Sequence, residues 1–230
     1  MNLFAIPEIL LTLLPGVGTA LGLTVAALVL GLPLGLGLAV LARDPSRPLR
    51  VTAWCIIEFG RGIPGLVLLY LIYFGLPQVG LYYTAITSAV IGFTYMTAAY
   101  TSEIFAGGLN SISGNQKEAV ASLGFAPFAA FRLIYLPQLL RVARGPLISW
   151  GILLLQATAL GYAIAVPEIM SRAYNYAAIT FDYSTTFTAA GAIYLAITQA
   201  VLLVFRVLLP AREPRRREVR SRHSGPLAAG

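Results

Sequence analysis

Five long apolar segments, separated by shorter polar ones, dominate the hydrophobic pattern of the chain. A hydrophobic run of about 20 residues crosses the ~30 Å hydrocarbon core of a bilayer as a helix. The pattern therefore predicts an all-α integral membrane protein with five transmembrane helices. These helices are predicted at about 16–41, 52–76, 84–108, 146–166 and 186–209. Within the first, Gly18/Gly22 and Gly31/Gly35 have the small-xxx-small spacing that suits close helix packing in lipid.

The composition agrees with a membrane protein. Of 230 residues, 58% are hydrophobic and 11% are charged, with a mean hydropathy of +0.79, whereas soluble domains carry about 25% charged residues. The single cysteine, Cys55, excludes an internal disulfide. One histidine, His223, and two aspartates are too few for a clustered catalytic or metal site in a membrane enzyme. Because no Walker-type lysine motif is present, the chain is not expected to bind ATP itself.

The Lys and Arg residues are distributed asymmetrically between the polar segments. Most lie in 42–51, in 109–145 and in the tail 211–230. Segments 1–15 and 77–83 have none, and 167–185 has only Arg172. By the positive-inside rule, the N-terminal 1–15 lies outside and the basic tail lies in the cytoplasm, as an odd number of helices requires. We interpret the tail as a topology anchor beside anionic lipid rather than as a nucleic-acid patch.

The longest loop contains a distinctive stretch, EAVASLGFAPFAAFRLIYLP, at 118–137. Good helix formers precede Gly124, which can take the positive φ at a helix end, and Pro127 suits the first turn of a following helix. Pro137 disfavours a helical Leu136 and is predicted to bend the chain back toward the membrane. These features predict a short exposed helix across the cytoplasmic mouth of the bundle.

The spacing within this stretch resembles the EAA loop of bacterial ABC importer permeases. That loop has the pattern EAA, three residues, Gly, nine residues, Ile, one residue, Leu-Pro. Val120 replaces the third residue of the motif, and the matching positions are Glu118, Ala119, Gly124, Ile134, Leu136 and Pro137. The resemblance implies a coupling helix that sits in a groove of an ATPase subunit, with the glutamate meeting basic residues there. The alternative is an ordinary amphipathic interfacial helix.

Four further stretches resemble the polar amino-acid subfamily of these permeases, the histidine/glutamine/arginine type. They are EFGRGIP at 58–64, YLIYFGLP at 70–77, AYTSEIFAGG at 99–108 and VPE at 166–168. The resemblance covers most of 15–210, and the permease domain is predicted at 16–210. It implies five helices with the N-terminus outside, in agreement with the charge distribution.

Three charged residues lie inside predicted helices. Glu58 and Arg61 are three apart and share a helix face, and Glu103 lies near the cytoplasmic end of the next helix. Because charges in spanning segments are costly, they usually face the bundle interior with a partner. We therefore predict an intramembrane network of these three side chains. Both a state-dependent gate and a static clamp that orients the coupling helix remain open as its role.

The resemblance implies a substrate site in mid-membrane, among helices two to four, but this chain departs from the family pattern there. Trp150 replaces the acid of an Asn-Glu pair, and Gln156-Ala157 replaces a Lys-Asp pair. Leu68 replaces a glutamine and Ala106 an arginine. Either this chain is the non-binding half of an asymmetric pair, or it forms a homodimer whose cargo is less charged than a basic amino acid.

The remaining polar side chains at mid-membrane depth are candidates for the substrate path. Their hydroxyl and amide groups can line a path for a zwitterion, but each can equally form an ordinary interhelix hydrogen bond or an interface anchor. The candidates are Tyr70, Tyr73, Tyr95, Thr97, Gln156, Thr158 and Tyr162.

The sequence thus predicts the membrane subunit of an ABC importer for an amino acid or similar small polar solute, in the bacterial cytoplasmic (inner) membrane. Its expected partners are two ATPase subunits, a second permease chain that is identical or homologous, the lipid bilayer, and a solute-binding protein outside at 77–83 and 167–185. ATP and magnesium are expected on the ATPase partner, and no cofactor, metal or nucleic acid on this chain. The alternatives are an ABC permease for another small solute and a stand-alone secondary transporter, which would show paired inverted repeats.

Overall fold

The computed structural model describes residues 6–208, and every regular element within them is helical. This confirms the all-α prediction. The basic tail 211–230 and the first five residues lie outside the described part. The α-helices are α1 (Ile6–Leu13), α2 (Pro15–Leu41), α3 (Arg47–Gly62), α4 (Gly65–Tyr70), α5 (Ala85–Asn110), α6 (Gly114–Ser122), α7 (Pro127–Ala130), α8 (Leu136–Ala157), α9 (Ile169–Thr180) and α10 (Tyr183–Leu208).

Within residues 6–208, three helical stretches are long and apolar enough to cross a membrane: Ile6–Leu41, Pro127–Ile164 and Tyr183–Val207. The bent pair of α3 with Gly65–Val79 makes a fourth if it is taken as one span. Helix α5 has 26 residues but is not among them. It buries several polar side chains, which lower its hydropathy: Ser88, Thr94, Thr97, Thr101 and Ser102. The five-helix topology therefore remains a prediction.

The second predicted helix, 52–76, is not one helix. Helix α3 and the helical stretch Gly65–Val79, which begins with α4, are bent by 106° relative to each other, with Ile63 extended at φ −83° and ψ 132°. Pro64 explains the break, because a proline disfavours the helical conformation of the residue before it. After α4 the chain continues through a π-helical turn at Leu71–Gly75 and a 3-10 turn at Leu76–Val79.

The predicted bend at Pro137 is wrong. Leu136 is helical, with φ −59° and ψ −45°, and helix runs from Pro127 to Ile164. Pro137 lies in the first turn of α8, directly after a π-helical turn at Phe131–Tyr135. The wider turn accommodates the missing N–H and the ring of the proline. The fourth predicted helix, 146–166, thus begins earlier and is continuous with the loop before it.

Helices α2 and α5 form the most extensive helix–helix contact within residues 6–208. A Cβ atom on Gly31 would lie 2.6 Å from the Cβ of Thr97, and one on Gly35 would lie 2.2 Å from the Oγ1 of Thr101. The second pair of the predicted small-xxx-small spacings therefore packs as expected. Gly18 and Gly22 meet nothing within 4 Å, so the first pair faces away from the described chain.

Candidate coupling and transport sites

The stretch 118–137 projects from the bundle as α6 and the start of the following helix. The side-chain oxygen of Ser113 accepts a hydrogen bond from Gln116 N at 3.3 Å and caps α6 at its N-terminus. Gly124 ends the turn with φ +74°, and Pro127 opens α7, both as predicted. The Leu123 and Phe128 side chains are 74% and 73% exposed. The segment therefore presents an apolar surface on the outside of the bundle.

The matched loop positions divide into an outward and an inward set. Glu118 and Ala119 are exposed, and within residues 6–208 the Glu118 carboxylate forms no ion pair. Val120, where the motif departs from the family pattern, is buried. Leu136 is half-buried against a cluster that includes Leu139. Ile134 is half-buried and Pro137 is exposed. Apolar packing of the buried positions therefore holds the segment on the bundle, while the Glu118 carboxylate stays exposed.

The three charged residues predicted to form a network do come together. Arg61 Nη1 contacts Glu103 Oε1 and lies 3.4 Å from Glu58 Oε1. The Tyr100 hydroxyl donates a hydrogen bond to the backbone carbonyl of Arg61 at 3.4 Å. Because Arg61 precedes the break at Ile63, these contacts tie α3 to α5 at the bend. All three side chains are partly exposed, and exposed ion pairs contribute about 1 kcal/mol or less each.

Arg43 makes a second connection at the same end of the bundle. Its Nη1 donates to the Ala39 carbonyl at 2.7 Å, and its Nη2 donates to the Ala106 carbonyl and Asn110 Oδ1, both at 2.9 Å. Cationic side chains suit the unpaired carbonyls at helix ends. In the linear pattern Arg43 is only one of the basic residues of the polar segment 42–51. Its position just after an apolar helix was the available signal for a C-terminal cap.

Two of the seven path candidates share a cavity. Tyr70 and Tyr162 line a space of about 430 Å³ together with Ser171, Tyr174 and Asn175. The rings of Tyr162 and Tyr174 lie 5.8 Å apart between centroids. The three residues of α9 were not predicted, because nothing in the linear pattern places α9 beside α4.

Two other path candidates are buried and hydrogen-bonded within the bundle. Thr97 packs against Gly31 and accepts a hydrogen bond from Trp150 Nε1 at 3.4 Å. Thr158 donates to the Leu155 carbonyl at 2.6 Å. These contacts are structural, and a substrate role for either threonine remains a prediction.

The last three path candidates lie apart from one another. The Tyr95 hydroxyl donates to the Ile56 carbonyl at 2.7 Å beside an apolar groove of about 610 Å³. The ring of Tyr73 meets Phe74 edge-on at 4.8 Å. Gln156 is exposed on α8. The structure therefore does not gather the seven predicted residues along one path within this chain.

The interior between α4, α5 and α8 is filled with apolar and aromatic side chains. Trp150 is buried and stacks on Tyr100, with ring centroids 4.5 Å apart and an interplanar angle of 16°. Leu68 is buried in the same cluster. The two positions where the family pattern carries an acid and a glutamine are thus core positions here.

Glu168 organises the opposite end of the bundle. It is fully buried and caps α9, accepting hydrogen bonds from Met170 N at 2.8 Å and Ser171 N at 2.7 Å. Its third donor is the Tyr194 hydroxyl at 2.6 Å. Burial raises the pKa of the Glu168 carboxyl above its usual range, and the three hydrogen bonds act in the opposite direction. An acid between a proline and an apolar run was the sequence signal for this cap.

Comparison with known proteins identifies relatives over most of the chain. The family model described as binding-protein-dependent transport system inner membrane component matches residues 31–218. The chain is 35% identical over 194 residues to the probable amino-acid ABC transporter permease protein YckA of Bacillus subtilis (strain 168), covering 84% of this chain and 85% of that protein. It is 30% identical over 201 residues to the histidine/lysine/arginine/ornithine transport system permease protein HisM of Escherichia coli (strain K12), covering 83% and 84%.

Solved structures agree with these sequence relatives. A chain of an amino acid ABC transporter crystallised with histidines superposes with a TM-score of 0.83 at 27% identity, covering 90% of this chain and 97% of that chain. A chain of the inward-facing MetNI methionine ABC transporter has a TM-score of 0.67 at 23% identity, covering 87% and 98%, and supports the fold alone. The resemblance drawn from the sequence is confirmed. The chain belongs to the family of binding-protein-dependent transport system inner membrane components, as a permease subunit of an ABC importer.

Proposed function

We propose that this permease imports an amino acid across the bacterial inner membrane, with five spanning helices, its N-terminus outside and α6 in the cytoplasm. The single observation that carries the coupling role is the exposed Glu118 on α6, a helix that buries Val120 and belongs to a segment anchored to the bundle by Leu136. The amino-acid cargo is supported by the relatives YckA and HisM. A permease subunit of this family is not an enzyme, because ATP is hydrolysed by its partner.

The α6 helix is placed to transmit ATPase closure to the bundle. It joins the end of α5 to the continuous helix that contains α8. These two helices are in close contact, since a Cβ atom on Gly108 would lie 3.1 Å from Leu139 Cγ. A push on α6 therefore moves α5 and α8 together. ATP drives the change only because it binds the two conformations with different affinity.

The proposed assembly contains two ATPase subunits that hold ATP and magnesium, a second permease chain, and a solute-binding protein outside. The second chain, identical or homologous, encloses the path together with this one. The solute-binding protein docks on 77–83 and 167–185. We call the end of the bundle at α6 the inner end and the end at α9 the outer end.

The network of Glu58, Arg61 and Glu103 acts as a clamp in this proposal. It lies where α3 turns into α4, and it joins that bend to α5. The backbone contact from Tyr100 to Arg61 favours a clamp over a free gate, because it fixes the chain beside the ion pairs. Because the clamp ties the bend to α5, the bend follows α5 when α5 moves with α6.

Glu118→Lys tests the coupling role. In proteoliposomes that contain the ATPase and the binding protein, we expect ATP-driven uptake to fall about tenfold or more, because reversing a charge at a charged contact costs several kcal/mol. The complex should still insert in the membrane. Asn115→Lys is the matched control, because it adds a positive charge to the same exposed helix outside the motif.

Uptake that survives Glu118→Lys at the level of Asn115→Lys would refute the coupling role. Uptake by this chain with no ATPase present would instead favour a stand-alone secondary transporter.

The packed interior supports a second candidate, the non-binding half of a heteromeric permease. Trp150 and Tyr100 occupy the mid-membrane space in which the resemblance implies a substrate site. In that case a homologous partner chain carries the mid-membrane substrate site, and this chain supplies its half of the path and the coupling helix α6. Purification of the native complex decides the matter by showing one kind of permease chain or two.

A further inference from the structure

Three tyrosine rings from three different elements surround the cavity at the outer end. Tyr70 comes from α4, Tyr162 from the 3-10 turn Thr158–Ile164, and Tyr174 from α9. With Ser171 and Asn175 they line about 430 Å³, which suits a small organic solute. We call these five residues the tyrosine cup.

The local fold holds the cup in shape. Ala165 takes a left-handed conformation with φ +60°, and Val166 N donates to the Gly161 carbonyl at 3.0 Å, so the chain reverses directly after Tyr162. The buried Glu168 cap then fixes the start of α9. As a result Tyr174 returns to face Tyr162, with ring centroids 5.8 Å apart.

Tyr70 completes the cup from the other side. Its ring is supported edge-on by Phe74, with the centroids 5.5 Å apart. The cup is therefore formed by braced side chains rather than by a flexible loop.

The polar groups of the cup are unused within the protein. Among residues 6–208, the three tyrosine hydroxyls and the Asn175 amide form no hydrogen bond, and each of these four residues remains exposed to the cavity or to solvent. Tyr95 and Tyr194, by contrast, both bond to protein acceptors. The cup thus concentrates free donors and acceptors where the rest of the bundle satisfies them internally.

The cup carries no formal charge. Two charged residues adjoin the lining residues in the sequence. Glu168 is buried and bonded to Tyr194, and Arg172 directs its Nη1 toward the Thr12 carbonyl at 3.5 Å. What remains is a set of aromatic faces, which attract an ammonium group, together with hydroxyl and amide donors, which suit a carboxylate.

We propose that the tyrosine cup is a binding station for a zwitterionic amino acid with no net charge, on its way from the binding protein into the path. The ammonium lies against the tyrosine rings, and the carboxylate accepts hydrogen bonds from Ser171, Asn175 and the tyrosine hydroxyls. A second charge on the side chain of the solute would lose part of its hydration in the cup and find no charged partner in the lining, which is unfavourable. The cup therefore selects against basic and acidic amino acids. This inference deepens the proposed function and rests on it.

Direct binding tests the cup. The complete permease–ATPase complex in nanodiscs, without binding protein, is titrated with tritiated L-glutamine, L-methionine and L-alanine, and separately with L-lysine and L-glutamate. We expect saturable binding of at least one of the three neutral solutes and no competition from the two charged ones.

Three variants locate the binding. Tyr174→Leu removes a ring, and we expect it to weaken binding about fivefold to thirtyfold, the range of a cation–π contact. Tyr174→Phe keeps the ring and retains most of the affinity. Tyr183→Leu removes an exposed tyrosine that does not line the cup and leaves the affinity unchanged. Tyr162→Leu should repeat the result of Tyr174→Leu, provided that basal ATPase activity shows an assembled complex.

Equal affinity in Tyr174→Leu and wild type would overturn the cup, as would the absence of neutral-solute binding or equal binding of lysine. These outcomes leave the ABC assignment intact, which depends on ATP-driven uptake measured in proteoliposomes. Conversely, uptake without ATPase would refute the proposed function even if the cup binds its solute.

Discussion

The two ends of this bundle are constructed with different chemistry. At the inner end, ionic and charge-assisted contacts join the helices: Arg61 contacts Glu58 and Glu103, and Arg43 caps the ends of two helices. All of these groups remain partly open to solvent. At the outer end, one buried acid, Glu168, accepts hydrogen bonds from three donors, one of them the Tyr194 hydroxyl, while the three tyrosines of the cup keep their hydroxyls free within residues 6–208.

This difference in contacts agrees with the function proposed for each end, coupling to the ATPase at the inner end and solute binding at the outer end. Exposed ion pairs are individually weak, so the inner end can shift when α6 is pushed without a large change in stability. A buried and fully bonded carboxylate tolerates little movement. The outer end is therefore expected to hold a fixed cup, and the inner end to move.

The largest effect is expected from Gly16→Val at the outer end. The added Cβ would lie 2.5 Å from Ile169 N, a backbone atom that cannot move without displacing α9. We expect the free energy of unfolding to fall by about 3 kcal/mol or more, or the chain to fail to fold, since overpacking forces the backbone apart. Thermal unfolding of the purified complex measures this. Gly18→Val is the matched control, because nothing lies within 4 Å of Gly18, and a similar loss in both variants would contradict the prediction.

A somewhat smaller effect is expected from Glu168→Leu. It leaves three partly buried donors without their acceptor, and we expect the free energy of unfolding to fall by about 1–3 kcal/mol, measured as a lower unfolding temperature. Ser113→Ala, which removes the cap of the exposed α6 at the inner end, should cost less, about 1 kcal/mol. If Ser113→Ala lowered the unfolding temperature more than Glu168→Leu does, the proposed contrast between the two ends would be wrong.

We expect the Glu168 carboxyl at the outer end to make the stability of the protein depend on pH. Because burial raises the pKa of Glu168, the folded state binds this proton more tightly than the unfolded state. Its contribution is fully present below the ordinary glutamate pKa of about 4.3 and is lost as the pH rises through the raised value. We expect Glu168→Gln to flatten this part of the unfolding-temperature profile. An unchanged profile would show that the hydrogen bonds cancel the effect of burial.

The smallest effect on stability is expected from Arg61→Met at the inner end. Loss of partly exposed ion pairs should cost about 1 kcal/mol or less, while the ratio of solute transported to ATP hydrolysed falls because the bend is no longer tied to α5. Arg61→Lys keeps the charge and should retain most of that ratio. If Arg61→Met had an unfolding temperature as low as that of Glu168→Leu, the ion pairs of Arg61 would contribute to stability as much as the buried contacts of Glu168 do, and the prediction would be wrong.

The sequence was sufficient wherever a function depends on consecutive residues. The stretch 118–137 carried the family resemblance by itself, and the Gly124 turn and the Pro127 helix start were predicted correctly. The pairing of Arg61 with Glu58 followed from helical spacing alone. Prolines were harder to interpret, since Pro64 breaks a helix predicted to be continuous, whereas Pro137 is absorbed by a π-helical turn. Local rules cannot tell these outcomes apart, because the neighbouring turn decides them.

The sequence by itself determined that this chain is an all-helical membrane permease, because hydrophobic segment length and motif spacing are properties of the linear chain. Only the tertiary structure decided which polar residues meet. It packed Trp150 on Tyr100 in the interior and brought Tyr70, Tyr162 and Tyr174 around one cavity. These contacts depend on how helices far apart in sequence cross, and crossing is set by side-chain packing across the whole bundle rather than by any local pattern.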